Sequence, residues 1–253
     1  MNRKHLLTGL ICATTTCAAH ADLEKQPLVL GLAVMSQTEA YQDIKSETSP
    51  IPVLWGSYKR MWFRGTDIGV IAYENEHFSV SPFMSINMGA GYELSSVEAG
   101  SRLYEGLEDA SGAIEAGVEF EVEAGMVELG FSYRTDISDA HKGDIAEFSI
   151  EEDFLLFNRR LVVMPEVSIS WTSEEYNQYY YGVSAENASE FRPMFELGSG
   201  TNFEASVRSM WRVGDVRVLG RLAFDKYDSA IIDSPLAKED QQFSIAIGLG
   251  YEF

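Results

Sequence analysis

Strict alternation between large apolar residues and small or polar residues is the feature that most limits how this chain can fold. From Gln242 to Phe253, every second residue is large and apolar, and the residues between are Gln, Ser, Ala, Gly and Glu. Successive side chains of a β-strand point to opposite faces, so this segment predicts a strand with one apolar and one polar face. The apolar face suits lipid, and the other face suits a polar interior.

The same alternation recurs along the chain and predicts an all-β protein. Upstream segments that show it are 78–92, 114–122, 127–133 and 203–211. No segment after residue 21 offers about 18 consecutive apolar residues, so the sequence predicts no membrane-spanning helix. Pro82 lies inside the first of these segments and cannot donate a backbone hydrogen bond, so a bulge or local break is expected there.

Connections between the predicted strands alternate in length. Short turns are predicted at 123–125, 158–159 and 214–215, and long polar stretches lie near 36–50, 93–112, 136–143, 172–201 and 228–240. Bacterial barrels have short periplasmic turns and longer external loops, whereas a soluble β-sandwich has no reason to follow this rule. The pattern predicts a transmembrane antiparallel up-and-down β-barrel in the cell outer membrane.

The number of strands tests this interpretation. Candidate strands lie near 27–35, 51–63, 66–73, 77–92, 113–122, 126–135, 144–157, 160–171, 202–213, 216–227 and 241–253. These are eleven candidates, and an odd number is wrong for a bacterial barrel, which has an even number of strands. If Ile68–Tyr73 belongs to a periplasmic connection or a neighbouring strand, ten remain; if another strand lies within 36–50, there are twelve. The sequence predicts a narrow barrel of 10–12 strands.

The N-terminal segment has the form of a secretory signal peptide. It begins with basic Arg3 and Lys4, continues through an apolar stretch and reaches Ala19-His20-Ala21 before a polar run. We expect cleavage after Ala21, which leaves residues 22–253 as the barrel. Both cysteines, Cys12 and Cys17, lie in the expected signal, so no disulfide is predicted.

Composition and motifs argue against an enzyme. The formal net charge of −20 would repel nucleic acid. Histidine spacing for zinc is absent, no Gly-x-Ser-x-Gly motif occurs, and no cofactor is predicted. One pair, His77 and Ser79, resembles the His-x-Ser pair of outer-membrane lipid A deacylases, but no further residues of that family's pattern are evident.

Charged residues on the polar faces of two hairpins are candidates for the barrel lumen. They are Glu115, Glu119, Glu121, Glu128, Arg208, Arg212, Arg217 and Arg221. Carboxylate–guanidinium contacts across the barrel would plug the lumen and hold its shape. The alternative is that each charge is solvated in a wet interior. Aromatic residues near strand ends, among them Trp62, Trp171 and Trp211, fit interfacial girdles or ordinary packing.

Several segments together resemble the MipA/OmpV family of MltA-interacting outer-membrane proteins. They are Ser49-Pro50-Ile51-Pro52, Tyr180-Tyr181-Gly182-Val183-Ser184, Asp233-Ser234-Pro235-Leu236 and the ending Gly248-Leu249-Gly250-Tyr251-Glu252-Phe253. The resemblance covers the chain after residue 21 and implies a non-enzymatic barrel. A terminal aromatic, here Phe253 with Tyr251, implies recognition by the barrel-assembly machinery, and the barrel wall would contact outer membrane lipid.

The resemblance implies a structural or scaffolding role in the cell envelope, because one family member is thought to join a murein transglycosylase to a murein synthase. The short predicted periplasmic turns leave only a small rim for such partners. Two alternatives remain. The acidic loops suit a narrow channel for small cationic or neutral solutes. The tyrosines from Tyr176 to Tyr181 suit an external adhesin or receptor, or a closed barrel mouth.

Overall fold

A computed structural model describes residues 27–46, 48–87, 91–110 and 112–253. The expected signal peptide, residues 1–21, lies outside these residues. The strands are β1 (Val29–Gln37), β2 (Thr48–Tyr58), β3 (Met61–Arg64), β4 (Asp67–Val70), β5 (Tyr73–Glu74), β6 (Phe78–Asn87), β7 (Ala113–Ala124), β8 (Val127–Asp136), β9 (Asp144–Glu151), β10 (Phe154–Leu156), β11 (Leu161–Thr172), β12 (Gly200–Val213), β13 (Val216–Lys226) and β14 (Gln241–Glu252), and one α-helix, α1, spans Glu174–Tyr181.

The strands form one closed antiparallel barrel, which confirms the predicted fold class. Apart from the pairs β4–β5 and β9–β10, consecutive strands pair with each other, and β1 pairs with β14 to close the circle. Two positions in the wall are shared: β4 and β5 both pair with β6, while β9 and β10 both pair with β11. The barrel therefore has twelve strand positions. In the part of the chain that the structure describes, no helix has the length and apolar character needed to cross a membrane.

The twelfth strand lies where neither sequence alternative placed it. The candidate strand at 51–63 is two strands, β2 and β3, joined by a tight turn at Lys59 and Arg60. Ile68–Tyr73 is a position of the wall in its own right, so the ten-strand alternative is wrong. The turn was missed because it contains neither glycine nor proline; Lys59 itself takes a positive φ of 59°.

Pro82 and Pro165 each lie within a continuous strand, and the break occurs in the neighbouring strand that faces the proline. Strand β6 is continuous through Pro82, but three residues of its neighbour, 70–72, oppose only two residues of β6, 81–82. This is the bulge expected at Pro82, located on the partner strand. Likewise, the gap between β9 and β10 lies opposite Pro165 of β11. A proline has no N–H to offer, so the facing strand loses its donor there.

Alternate residues of each strand face outwards. On β14 and β1 the outward residues are exposed and apolar, for example Leu32, Ile247 and Leu249. At the seam between these strands, glycine allows the backbones to approach closely: a Cβ atom on Gly31 would lie 2.2 Å from the Leu249 carbonyl oxygen. On these two strands the inward residues are mostly small, for example Ala33 and Gly248, as the sequence predicted for the polar face.

Candidate functional site

The long external loops pack together over one end of the barrel. We call residues 38–46, 91–110, 173–199 and 227–240 the loop cap. Its apolar cluster has buried members from all four segments, namely Tyr41, Tyr92, Leu103, Tyr104, Ala110, Tyr180, Tyr181, Val183, Leu197, Ile231, Leu236 and Ala237. Loops that were separate in the sequence thus form a second, external core.

Tyrosines hold the segments of the loop cap to one another. Tyr41 stacks on Tyr181 with ring centroids 5.1 Å apart, and its hydroxyl donates to the Tyr180 carbonyl oxygen at 3.2 Å. The Tyr104 hydroxyl donates to the Gln42 carbonyl oxygen at 2.8 Å. Burial raises the pKa of Tyr92 to about 12 and raises the pKa of Tyr41 well above its usual value. These rings are therefore neutral and desolvated at ordinary pH.

Helix α1 places its tyrosines in the apolar cluster of the loop cap. Its sequence specifies where the helix begins and which side chains face this cluster. The Ser173 side chain accepts a hydrogen bond from the Tyr176 N–H, which caps the first turn. Residues four apart lie on one face of a helix, and the rings of Tyr176 and Tyr180 are 4.8 Å apart. Tyr180 is completely buried. Of the two uses considered for these tyrosines, the structure places Tyr180 and Tyr181 in the closed mouth rather than on an exposed surface.

Two of the family motif segments meet in the loop cap. The Ser234 hydroxyl donates to the Tyr181 carbonyl oxygen, and Val183 pairs with Phe195 beside it. Gly182 ends α1, and Pro235 follows Ser234. The other two segments are not brought to this place. Ser49 and Pro50 lie on β2 and pair with Met35 and Val34 of β1, and the ending 248–253 lies at the periplasmic end of β14.

Beneath the loop cap, one buried carboxylate links the barrel wall to His141, which in turn contacts the cap. Glu115 of β7 is completely buried, and its side chain lies 2.9 Å from the Arg134 guanidinium. The His141 Nδ1 accepts from the Gly143 N–H, so a neutral His141 donates from Nε2 to Glu115 at 3.1 Å. The His141 ring also contacts Tyr176 at 5.0 Å between centroids. His141 was visible in the sequence, but nothing in the pattern linked it to Glu115.

The predicted lumen charges all lie on inward positions, but the structure does not bring the two sets together. Arg64 binds Glu119 at 2.7 Å and Glu121 at 2.6 Å, and Glu128 lines the cavity nearby. The arginines near the C-terminus have other partners, which form pairs Arg208–Glu151, Arg208–Glu166, Arg212–Glu252, Arg217–Glu252 and Arg221–Glu204. The ion pairs therefore run along the wall between nearby strands and not across the lumen between the two hairpins.

A cavity of about 450 Å³ occupies the periplasmic half of the lumen. Near its opening it is lined by residues beside the periplasmic turns, including Gly56, Asp153 and Arg159. One side of it is charged, with carboxylates and arginines from β7 to β12. The other side carries aromatic rings beside Arg64 and Asp67, and the Arg64 guanidinium lies 4.5 Å from the Trp62 ring centroid. Trp62 belongs to this side rather than to an interfacial girdle, since only 2% of its surface is exposed.

Neither a metal site nor the deacylase-like pair takes shape. Among the described residues, no three His, Cys, Asp or Glu side chains are placed to hold a metal ion. The Ser79 hydroxyl donates to Glu121 at 2.9 Å, while the His77 backbone N–H donates to the Asn75 side chain at 2.9 Å. His77 is exposed at a turn. Ser79 therefore belongs to the lumen ion-pair network.

Tyr251 and Phe253 lie at the closing end of β14. Their rings are 5.1 Å apart in an edge-to-face arrangement, and the Phe253 N–H donates to the Leu28 carbonyl oxygen at 3.0 Å. The Phe253 side chain is 74% exposed. A receptor could reach this side chain without disturbing the barrel, and recognition by the assembly machinery stays a prediction.

Comparison with known proteins gives the family that the sequence motifs resemble, over nearly all of the described chain. The family model described as MltA-interacting protein MipA matches residues 30–253. The MltA-interacting protein of Escherichia coli (strain K12) is 24% identical, covering 99% of this chain and 98% of that protein. The 24 kDa outer membrane protein of Pasteurella multocida (strain Pm70) is 23% identical, covering 89% and 90%. The COG4313 outer membrane channel from Pseudomonas putida F1 has a TM-score of 0.43 at 10% identity, covering 90% and 96%. The closed barrel and the two relatives matched by sequence locate the chain in the outer membrane.

Proposed function

The chain belongs to the MltA-interacting protein MipA family, and from that membership we propose that it is a non-enzymatic structural barrel that holds an envelope partner at its periplasmic rim. The observation that carries the proposal is the loop cap, because it fills the external mouth with buried side chains. The lumen is also stiffened by ion pairs between neighbouring strands, as in Arg208–Glu166 and Arg221–Glu204. A closed and braced barrel suits a fixed support better than a wide pore.

The periplasmic turns supply a surface for a partner. Phe157 and Met126 are 73% and 79% exposed at the tips of two of these turns. Phe157, Asn158 and Arg159 have φ values of 51°, 56° and 64°, a left-handed run without glycine. Such conformations cost about 1 kcal/mol per residue, and strained turns concentrate at functional positions. The turn thus holds an apolar ring away from the barrel at an energetic cost.

The partner that best fits this proposal is a murein transglycosylase. The Escherichia coli relative is named for interaction with MltA, and it aligns along nearly the whole chain. A murein synthase is the second partner implied by the family resemblance. Because the rim is small, we propose that one or two projecting apolar side chains provide most of the binding energy, as in other interfaces with a few dominant residues.

Crosslinking and co-purification test this proposal. We expect Phe157→Ser combined with Met126→Ser to lower capture of the murein transglycosylase about tenfold, because truncating a dominant apolar contact costs more than about 1 kcal/mol. Assembly is checked by the heat-modifiable band on a gel. Met194→Ser is the matched control, since Met194 is 50% exposed on the loop cap. Equal capture by the rim variant and the control would refute the rim as the binding surface.

A narrow channel is the second candidate, and the cavity is the observation that favours it. Among the described lining residues are seven carboxylates and four arginines: Asp67, Glu119, Glu128, Glu147, Glu151, Asp153, Glu166, Arg64, Arg134, Arg159 and Arg208. This excess of negative charge would concentrate small cations at the periplasmic entrance. Conduction also requires a route past the loop cap.

A further inference from the structure

A groove crosses the outward face of the barrel wall directly below the loop cap. Its volume is about 1190 Å³, and it extends over five adjacent strands, β11, β12, β13, β14 and β1. Outward side chains form its floor, among them Val167, Leu222 and Ile245, which are 44%, 57% and 48% exposed. We call it the wall groove. Because the barrel lies in the outer membrane, the outward side chains of this floor face lipid.

The floor of the wall groove is apolar and wide. Val167, Ala205, Phe224 and Phe243 lie opposite one another on the consecutive strands β11 to β14. Neighbouring strands are about 4.8 Å apart, so these four positions span roughly 14 Å. The small side chain of Ala205 leaves a depression between Val167 and Phe224. An extended alkyl chain is about as wide as one strand spacing, so the floor has room for several chains side by side.

Two lysines of the loop cap lie at the upper end of the wall groove. Lys45 and Lys238 both line it, and both are exposed. Their backbones are fixed, because the Lys45 N–H donates to the Ser96 carbonyl oxygen at 2.9 Å and the Lys238 N–H donates to the Ala40 carbonyl oxygen at 2.7 Å. Among the residues that the structure describes, no carboxylate forms an ion pair with either lysine. Two unpaired cations above an apolar floor match an anionic head group above acyl chains.

We propose that the wall groove binds one lipid of the outer leaflet that has several acyl chains and a phosphate on its head group. The chains lie on the apolar floor, and Lys45 and Lys238 bind the phosphate. Glu39 and Glu98 also line the upper end. Their charges oppose a phosphate, so binding depends on both lysines. This inference is independent of the scaffolding role, because the wall groove faces the membrane and not the periplasmic rim.

Native mass spectrometry of the purified full chain in detergent micelles tests the lipid site. The probe is bisphosphorylated lipid A, and we expect an adduct with one lipid. Lys45→Gln combined with Lys238→Gln should weaken its binding about tenfold or more, since each lysine beside an anionic head group contributes to binding. Lys59→Gln combined with Lys142→Gln is the matched control, because it removes the same charge at exposed lysines outside the wall groove.

Two further variants separate the head group from the chains. Glu98→Gln should strengthen binding, because it removes a like charge beside the phosphate. Ala205→Trp should weaken binding by filling the depression in the floor while both lysines remain. The same lipid without phosphates should bind about tenfold more weakly. All variants are first checked for heat-modifiable migration. Equal binding by the two double variants, or equal binding of the phosphate-free lipid, would overturn the lipid site.

Discussion

At the scale of single residues, Glu115 is a buried side chain with contacts to two neighbouring strands and to an external loop. It contacts Arg134 in the wall, Asn87 at the end of β6 and His141 in the third external loop. A buried carboxylate needs such partners because the loss of hydration, without them, would favour its neutral, protonated form. Through His141, whose ring contacts Tyr176 of the loop cap, this carboxylate contributes to holding the cap on the barrel.

Replacing Glu115 by Ala should destabilise the protein by about 3 kcal/mol, because it removes the carboxylate that lies beside the Arg134 guanidinium and that binds His141 and Asn87 in a largely buried site. The midpoint of urea unfolding in detergent micelles measures the effect. Glu105→Ala is the control: Glu105 pairs with Arg102 on the surface, where both side chains are more than half exposed. That variant should change stability by less than about 1 kcal/mol. Similar losses in both variants would contradict the role of Glu115.

Residue faces were predictable and residue partners were not. The alternation of period two placed Glu115, Glu119 and Arg208 on the polar face, and each lies on the lumen side. Their partners depend on how far each strand is shifted against the next, which a repeating pattern does not encode. Arg64 is an example: it lies on β3, a strand that the sequence merged with β2, and so its pairing with Glu119 could not be foreseen.

At the scale of elements, α1 and the other cap segments depend on neutral tyrosines. The folded-state pKa of Tyr92 is raised to about 12 by burial, above its ordinary value. A group with a raised folded pKa stabilises the folded state fully below its unfolded pKa and loses that contribution as pH rises through the folded pKa. Stabilisation of the loop cap should therefore be complete below about pH 10 and lost between about pH 10 and 12.

Alkaline pH should open the loop cap while the strands stay paired. We expect protease cleavage within residues 173–199 to increase as pH rises from about 10 to 12, together with the near-ultraviolet absorbance of tyrosinate. Circular dichroism follows the strands. Tyr92→Phe keeps the ring without an ionisable hydroxyl and should shift the opening to higher pH, whereas Tyr73→Phe, at an exposed position, should not. Cleavage that is unchanged across this range would contradict the prediction.

The elements themselves were predicted unequally. Strands with long uninterrupted alternation, such as β7 and β14, were found close to their true bounds. The turn between β2 and β3 was missed, because Lys59 adopts a left-handed conformation that is uncommon for lysine and so gives no signal in the sequence. The short length of β3 was equally hidden: it follows from the turn at Gly65, not from a loss of apolar residues.

At the scale of the whole molecule, a packed external core lies above a periplasmic cavity. We expect the intact protein to carry no large steady current in a planar bilayer, because the route through the mouth is filled by buried side chains. Deleting residues 174–190 should raise the current, since this removes α1 and the buried Tyr180. A large steady current through the intact protein would favour the channel over the structural barrel.

The barrel could be predicted from the sequence, and a mouth closed by the tyrosines at 176–181 was one of the alternatives. The meeting of four segments in the loop cap could not be predicted. Each strand carries its own signal, and the fold follows from repeating that signal around a circle. The cap joins four segments spread between residues 38 and 240, and their meeting depends on the order in which the wall presents them. The position of Tyr41 against Tyr181 is a property of the closed barrel, not of either loop.

The seam between β1 and β14 also governs how the chain can fold in time. Val29 pairs with Glu252, so the circle closes between residues more than two hundred positions apart in the chain. Closing a loop of that length costs about 5 kcal/mol of chain entropy, and nothing repays it until the last strand arrives. Folding should accordingly be slow and end in a single late step, as for other folds of high contact order. Until then β1 and β13 are two open sheet edges, the state in which such a chain is most prone to aggregate.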